Sequence, residues 1–189
     1  MTAPVESLGL RALAVAVGEL GVQEPSRRVQ EYLSGCERGG RLLSLTSGSW
    51  CAAFVGWCER EAGVVALPWR ASVAELCGDA FRRGLWSPRD GGSRPLPGDL
   101  AIFRRAGQDP TLGGAGHVGR VERIEGGVLV SIDGNHNDAV ARVARRLDDP
   151  ALVGWVLLPR VAIGASWEDI ARGAAAAGLD RQAREAQTP

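Results

Sequence analysis

The sequence predicts an α+β fold with helices in its N-terminal half and an antiparallel meander of strands after them. Apolar residues recur at helical spacing up to about residue 83, and short apolar runs bounded by turn residues follow from about residue 100. A stretch rich in Pro and Gly, 87–98, separates the two patterns. A chain of 189 residues can bury one good core. We therefore expect one domain over 1–162 and a C-terminal helical tail over 163–189, its polar end disordered.

Two helices are predicted before the central part of the chain. The first covers 5–20, where Leu10, Leu13, Val17 and Leu20 lie on one face of a 3.6-residue period. The second begins at Ser26, and Gly35 ends it.

The third predicted helix, 50–62, is apolar on nearly all sides. Ser47 or Ser49 is a suitable N-cap for it, and Gly63 closes it. A helix without a polar face is typical of a buried central position. A fourth helix is predicted over about 73–83.

Strands are predicted at 100–103, 117–124, 128–133 and 152–158. The second and third of these are joined by Glu125-Gly126-Gly127, which favours a hairpin. Helices that precede such a meander complete the α+β prediction.

The composition excludes several classes of protein. Lys plus Arg number 22, as do Asp plus Glu. The chain therefore lacks the basic excess that is typical of a nucleic-acid-binding protein. No apolar run reaches the ~20 residues that span a bilayer, and residues 1–20 lack the pattern of a secretory signal. No cysteine spacing indicates a metal site, so we expect neither metal nor cofactor. We expect synthesis in the cytoplasm, with lysis or dedicated export bringing the protein to any target outside.

Cys51 begins the apolar helix, where unpaired N–H groups and the helix dipole favour a thiolate. The alternative is an inert buried cysteine. Cys58 lies about two turns further on, roughly 10 Å along the axis, which is too far for a disulfide with Cys51. We interpret Cys58 as a small buried hydrophobic residue; the disulfide state of Cys36, Cys58 and Cys77 stays open.

His117 follows a glycine-rich loop and begins a strand, where a histidine could serve as the base for Cys51. A three-residue loop at 125–127 would place Asn135 opposite His117, with Asp133 on the same face. Either residue could hold the imidazole, and this register puts Asn135 nearer. A two-residue loop would bring His136 opposite instead.

These segments resemble the CHAP family of cysteine, histidine-dependent amidohydrolases/peptidases, neighbours of the NlpC-type cell-wall hydrolases in the papain-like superfamily. The matching pieces, in chain order, are Gly21-Val22-Gln23-Glu24, Trp50-Cys51-Ala52-Ala53-Phe54-Val55, Pro97-Gly98-Asp99-Leu100-Ala101-Ile102-Phe103, Gly116-His117-Val118-Gly119 and Asp133-Gly134-Asn135.

The resemblance implies a papain-like fold with the nucleophile on a central helix packed on the sheet. It implies Cys51 as nucleophile, His117 as base and an orienting group at Asp133 or Asn135. Many CHAP domains have Glu-x-Asn where this chain has Asp133-x-Asn135, which leaves the orienting residue undecided. The implied substrate is an amide bond of peptidoglycan, and we assign substrate binding to Trp50 and Gly116.

The function expected from this resemblance is a monomeric cysteine amidase or endopeptidase of the bacterial cell wall. It would act as a bacteriolytic lysin or as an antimicrobial effector, with an immunity protein or a secretion apparatus as further partners. Two alternatives are a cysteine hydrolase of a non-wall amide and an inactive wall-binding or interaction module. Comparing the wild type with Cys51→Ala would distinguish an active cysteine hydrolase from an inactive module. Which amide bond is cleaved stays open.

Overall fold

The structure, a computed structural model, describes residues 5–38, 41–42, 48–64 and 66–162. The predicted tail at 163–189 and the alternative helix cap Ser47 lie outside these ranges. Within them, no helix is long and apolar enough to cross a membrane.

The helices of the described residues agree with the predicted ones in number and order. They are α1 (Leu8–Gly18), α2 (Arg27–Leu33), α3 (Cys51–Glu61) and α4 (Val73–Arg82), with a short 3-10 helix at Pro110–Leu112. The Ser26 side chain accepts a hydrogen bond from the Val29 N–H and caps α2 as expected.

The strands of the described residues are β1 (Val5–Ser7), β2 (Glu37–Arg38), β3 (Arg41–Leu42), β4 (Trp86–Pro88), β5 (Leu100–Arg104), β6 (Gly116–Glu125), β7 (Val128–His136), β8 (Ala139–Arg146), β9 (Leu152–Val156) and β10 (Arg160–Ala162). The main sheet is antiparallel throughout and has the spatial order β4-β9-β5-β6-β7-β8. Outside it, β1 pairs with β10 and β2 with β3. Helices followed by an antiparallel sheet confirm the α+β prediction.

The short strands β2, β3 and β10 were not predicted, and the secondary-structure prediction is also wrong in the following parts. Residues 5–7 are a strand rather than the start of the first helix, because they pair with β10. The segment 86–88, predicted as loop from residue 87, is an edge strand against β9. The strand β8 was not predicted; it follows a two-residue turn whose residues, Asn137 and Asp138, have φ of 51° and 59°. Both angles fit a type I′ hairpin turn, for which Asn-Asp is a weaker signal than Asn-Gly.

Helix α3 is the centre of the larger hydrophobic core, as its apolar sequence predicted. Most of its residues are buried, and they pack with Leu100, Ile102, Val118 and Ile132 from the sheet. Ala101 and Phe103, which alternate with Leu100 and Ile102 along β5, lie in a smaller cluster.

A buried ion pair also joins α3 to β6, and the sequence did not reveal it. Arg120 Nη2 donates to Glu59 Oε1 at 3.0 Å and to the Val55 carbonyl at 3.0 Å, while Nη1 donates to the Gly98 carbonyl at 2.8 Å. Both side chains are buried. The pair therefore ties the helix that begins with Cys51 to the strand that contains His117.

The β6–β7 hairpin has a two-residue loop, Gly126-Gly127, because Glu125 pairs with Val128. The register then shifts between Val121 and Arg123, and Gly119 pairs with Asp133. The extra residue of this bulge moves the strand pairing to the register that a three-residue loop would have produced. The predicted register at Asp133 is correct, whereas the predicted loop length is wrong.

Candidate active site

Cys51 is the first residue of α3 and is almost completely buried. Trp50 provides the N-cap position without a side-chain hydrogen bond, so Ser49 is not the cap that the sequence suggested. The Ser49 hydroxyl instead accepts a hydrogen bond from Arg105 at 2.5 Å. Among the described residues, no side chain therefore caps the first-turn N–H groups of α3, at the end of the helix where Cys51 lies.

His117, near the start of β6, lies between Cys51 and Asp133. Its Nε2 is 2.7 Å from Asp133 Oδ2, and the ring also makes a hydrogen bond with the Cys51 side chain. Since Nε2 contacts the carboxylate, Nδ1 is the nitrogen left for the sulfur. A thiol, an imidazole and a carboxylate thus form one hydrogen-bonded series.

Asn135 does not contact the imidazole, and the prediction that it lies nearer to His117 than Asp133 is wrong. Asn135 has a φ of 57°, and the β7–β8 register shifts between Asp133 and His136. This second bulge turns Asn135 out of the regular strand geometry. Its Nδ2 instead donates to Ser49 Oγ at 3.4 Å.

The Asp133 carboxylate is fully buried and has three side-chain partners. Besides His117, Ser131 Oγ donates to Oδ1 at 2.6 Å and Arg145 Nη2 donates to Oδ2 at 2.6 Å. Arg145 Nη1 also donates to Ser131 Oγ at 3.2 Å. The guanidinium carbon of Arg145 lies 4.4 Å from the centre of the Phe103 ring, which holds it from a second side.

Sequence reasoning missed both Ser131 and Arg145. Ser131 shares the strand face of Asp133 by the period of two, so its position was within reach of the pattern. Arg145 lies on β8, and without that strand nothing in the sequence placed it beside the site.

Trp50 is fully buried, which contradicts its assignment to substrate binding. Its ring packs against Tyr32 and Phe54 at centroid distances of 5.5 Å and 6.2 Å. The side chain therefore belongs to the core that supports the start of α3 and has no surface left for a ligand. Gly116, the other residue assigned to substrate binding, does line a cavity beside Cys51.

The charges in this series favour a thiolate and an imidazolium. Burial alone raises the pKa of the Cys51 thiol, but the hydrogen bond and charge of His117, together with N–H donors of Val118 and Ala52, bring that pKa below its usual value. Burial lowers the pKa of His117, and the opposing effects of Asp133 and Cys51 raise it to about 9. The pKa of Asp133 is lowered because His117 and Arg145 outweigh the effect of burial.

Cys58 and Cys77 have the opposite electrostatics to Cys51. Cys36, Cys58 and Cys77 are buried and free of disulfides. Burial raises the pKa of Cys58 well above its usual range and that of Cys77 to about 12. The interpretation of Cys58 as a small buried residue is confirmed, and a reactive thiolate is favoured at Cys51.

Two cavities open on the two sides of the thiol and imidazole. The first cavity has a volume of about 530 Å³, and its lining includes Cys51, Glu24, Ser49, Arg105 and Gly116. The second cavity has a volume of about 280 Å³, and its lining includes His117, Phe103, Arg104, Arg105 and Arg145. Arg105 and Asn135 line both cavities, so they form the boundary between them.

No group of three or more His, Cys, Asp or Glu side chains in the described part of the chain is arranged as metal ligands would be. His136, the second histidine, lies at the end of β7 and lines the smaller cavity.

Fold and site together define an α+β protein whose cleft joins the first residue of a buried helix to the ends of two antiparallel strands. Residues 44–135, which contain Cys51, His117, Asp133 and Asn135, match the family model of the CHAP domain. Slightly less than half of the chain therefore matches this family model.

Solved structures that match the chain include the crystal structure of Ly7917 and the crystal structure of Ly7917 with the hydrolyzing product of MDP. The chain is 15% identical to the product-bound structure, with a TM-score of 0.48, over 79% of this chain and 62% of that chain. For the other structure the identity is 16% and the TM-score 0.47, over 81% of this chain and 63% of that chain. The chain thus spans about three-fifths of the length of these proteins. No curated protein matches the chain.

Proposed function

We propose that the protein is a cysteine amidase or endopeptidase that hydrolyses amide bonds in peptidoglycan. The observation that carries the proposal is the hydrogen-bonded series from Cys51 through His117 to Asp133, at the boundary of two cavities. The substrate class rests on the match of residues 44–135 to the CHAP domain, because the resemblance to that family implies peptidoglycan amides.

The first half of the reaction is acyl transfer to sulfur. The Cys51 thiolate attacks the carbonyl carbon of the amide, and the negative charge moves to the carbonyl oxygen. First-turn N–H groups of α3 stabilise this oxyanion, because they lack partners within the helix. His117 then protonates the departing amine as the C–N bond breaks, which leaves a thioester on Cys51.

The second half releases the acyl group. His117, now neutral, takes a proton from a water molecule as the oxygen attacks the thioester carbon. The C–S bond breaks, the acid product leaves and the proton on His117 restores the imidazolium beside the thiolate. Asp133 stabilises the charged ring in both halves, and Ser131 and Arg145 hold the carboxylate in place.

The direct test is incubation of purified peptidoglycan with the protein, followed by mass analysis of the soluble fragments. The wild type should release peptides, whereas Cys51→Ala and His117→Ala should release none while keeping the native circular dichroism spectrum. Cys77→Ala is the matched control, because Cys77 is buried with a raised pKa. The masses identify the amide cleaved; fragment release by Cys51→Ala would refute the mechanism.

A further inference from the structure

Arg105 differs from Arg104 and Arg145 at the site, because it has no acidic partner among the residues that the structure describes. Arg104 Nη2 contacts Asp109 at 2.8 Å, and Arg145 Nη2 contacts Asp133 at 2.6 Å. The Arg105 guanidinium donates to the neutral hydroxyl of Ser49, and among the described residues no carboxylate lies within ion-pair distance of it. No carboxylate of the described residues therefore neutralises its charge, which faces the cleft.

The two cavities on either side of this residue differ in charge. The larger one, beside Cys51, has the carboxylates of Glu24 and Asp138 in its lining, and Arg105 at the boundary is the one cation among its described lining residues. The smaller one has Arg104, Arg105 and Arg145 around His117. Its one carboxylate is that of Asp149, whose Oδ1 accepts the Ala151 N–H at 2.8 Å. A guanidinium without a counter-ion in such a cavity suits an anion, for which Arg offers paired N–H donors.

The chemistry of the reaction decides which part of the substrate occupies the smaller cavity. His117 must reach the nitrogen of the departing amine to protonate it, so the amine side of the cleaved bond lies on the His117 side. The acyl side then extends from Cys51 into the larger cavity. The cation in the smaller cavity thus faces the leaving group.

We propose that the cavity beside His117 is a leaving-group subsite that selects a carboxylate, and that Arg105 binds this carboxylate. The proposal rests on the proposed amide hydrolysis. The group recognised is a free carboxylate near the amine side of the cleaved bond, as in a peptide that has a C-terminal or side-chain carboxyl group there. Arg105 leaves Ser49 and turns to this carboxylate when the substrate binds.

The test compares two preparations of one probe, the soluble peptides obtained from purified peptidoglycan by digestion of its glycan strands. One preparation is native, and in the other the carboxylates are converted to carboxamides with carbodiimide and ammonia. Wild-type kcat/KM should be at least ~10-fold higher on the native peptides than on the amidated ones, because one charge-assisted hydrogen-bonded contact contributes about that factor to binding. In Arg105→Gln this ratio should fall to about 1 through a higher KM on native peptides.

Two further variants separate charge from structure. Arg105→Lys keeps the charge and should keep part of the preference. Arg142→Gln is the matched control, because Arg142 pairs with Glu122 on β6 and lines neither cavity; it should keep the wild-type ratio. A wild-type ratio near 1, or an unchanged ratio in Arg105→Gln, overturns the subsite and leaves amide hydrolysis standing. A wild type that cleaves neither preparation overturns amide hydrolysis itself, and the subsite with it.

Discussion

Asp133 connects the imidazole of His117 to the guanidinium of Arg145 through one carboxylate oxygen, Oδ2. The carboxylate can therefore stabilise an imidazolium while a permanent cation prevents its own protonation. This arrangement assigns the orienting role to Asp133 and leaves Asn135 to contact Ser49.

Asp133→Asn and Asn135→Ala should consequently differ in their pH–rate profiles. Removing the Asp133 charge lowers the pKa of His117 from about 9, so the alkaline limb of activity should move to lower pH. The rate should fall ~10–100-fold, about 1.4–2.7 kcal/mol in the barrier. Asn135→Ala should keep the alkaline limb in place. Identical profiles for both variants and the wild type would show that neither residue orients His117.

Removing the charge of Arg145 should move the alkaline limb of the pH–rate profile in the opposite direction. Its positive charge opposes protonation of His117, so Arg145→Met should raise the pKa of the imidazole and move the alkaline limb upward. The variant should also unfold more easily by about 1–3 kcal/mol, because the buried Asp133 loses a donor. Arg145→Lys keeps the charge, so its alkaline limb should lie at the same pH as that of the wild type. Urea unfolding separates the stability effect, and a downward shift in Arg145→Met would contradict this account.

At the scale of elements, the Arg120–Glu59 pair connects α3 to β6 in the middle of the core. Burial raises the pKa of Glu59 even though Arg120 opposes it. Arg120→Met would leave this carboxylate buried without its cation, and the free energy of unfolding should fall by about 3–5 kcal/mol. The double variant Arg120→Met/Glu59→Leu should recover most of that loss in urea unfolding. Equal losses in the single and double variants would show that the unpaired Glu59 carboxylate is not the source of the loss.

Gly119 shows how closely β6 and β7 pack at the site. A Cβ atom at this position would collide with Asp133 Oδ1 and lie 2.9 Å from Ser131 Oγ. Gly119→Ala should therefore displace the carboxylate from His117 and reduce activity at least ~10-fold, with a stability loss of about 1–3 kcal/mol. Gly18→Ala is a suitable control, because a Cβ there meets nothing within 4 Å. Fragment release assays and thermal unfolding of both variants test this packing.

For the whole molecule, the pKa values of Cys51 and His117 define a pH window. The thiolate–imidazolium pair forms above the lowered pKa of Cys51 and is lost as pH rises through about 9, where His117 deprotonates. Activity should thus rise from the acidic side, stay high at neutral pH and decline near pH 9. Alkylation of Cys51 by iodoacetamide should already be rapid at neutral pH and become slow in His117→Ala.

The same assay tests the expectation that no metal takes part. Treatment with a chelator should leave fragment release unchanged, whereas iodoacetamide should abolish it. Loss of activity with chelator and recovery with Zn²⁺ would contradict the thiolate mechanism.

How much of this site could be read from the sequence differs between its parts. The apolar pattern placed Cys51 at a helix start, and the glycine-rich loop placed His117 at the start of a strand, within a residue of where the structure has it. Both are local signals, since they depend on neighbours along the chain. The choice between Asp133 and Asn135 was not local, because it depended on two bulges that each insert one residue.

The sequence alone determined the α+β class, the four helices, the order of nucleophile and base, and the resemblance to the CHAP family. The tertiary structure decided that Asp133 rather than Asn135 contacts His117, that Trp50 is buried, and that Arg145 reaches the site from a strand the sequence did not reveal. The physical reason is the two-residue period of a strand. A shift of one residue in register moves every side chain to the other face of the sheet. No local pattern in this sequence predicted where the two shifts occur.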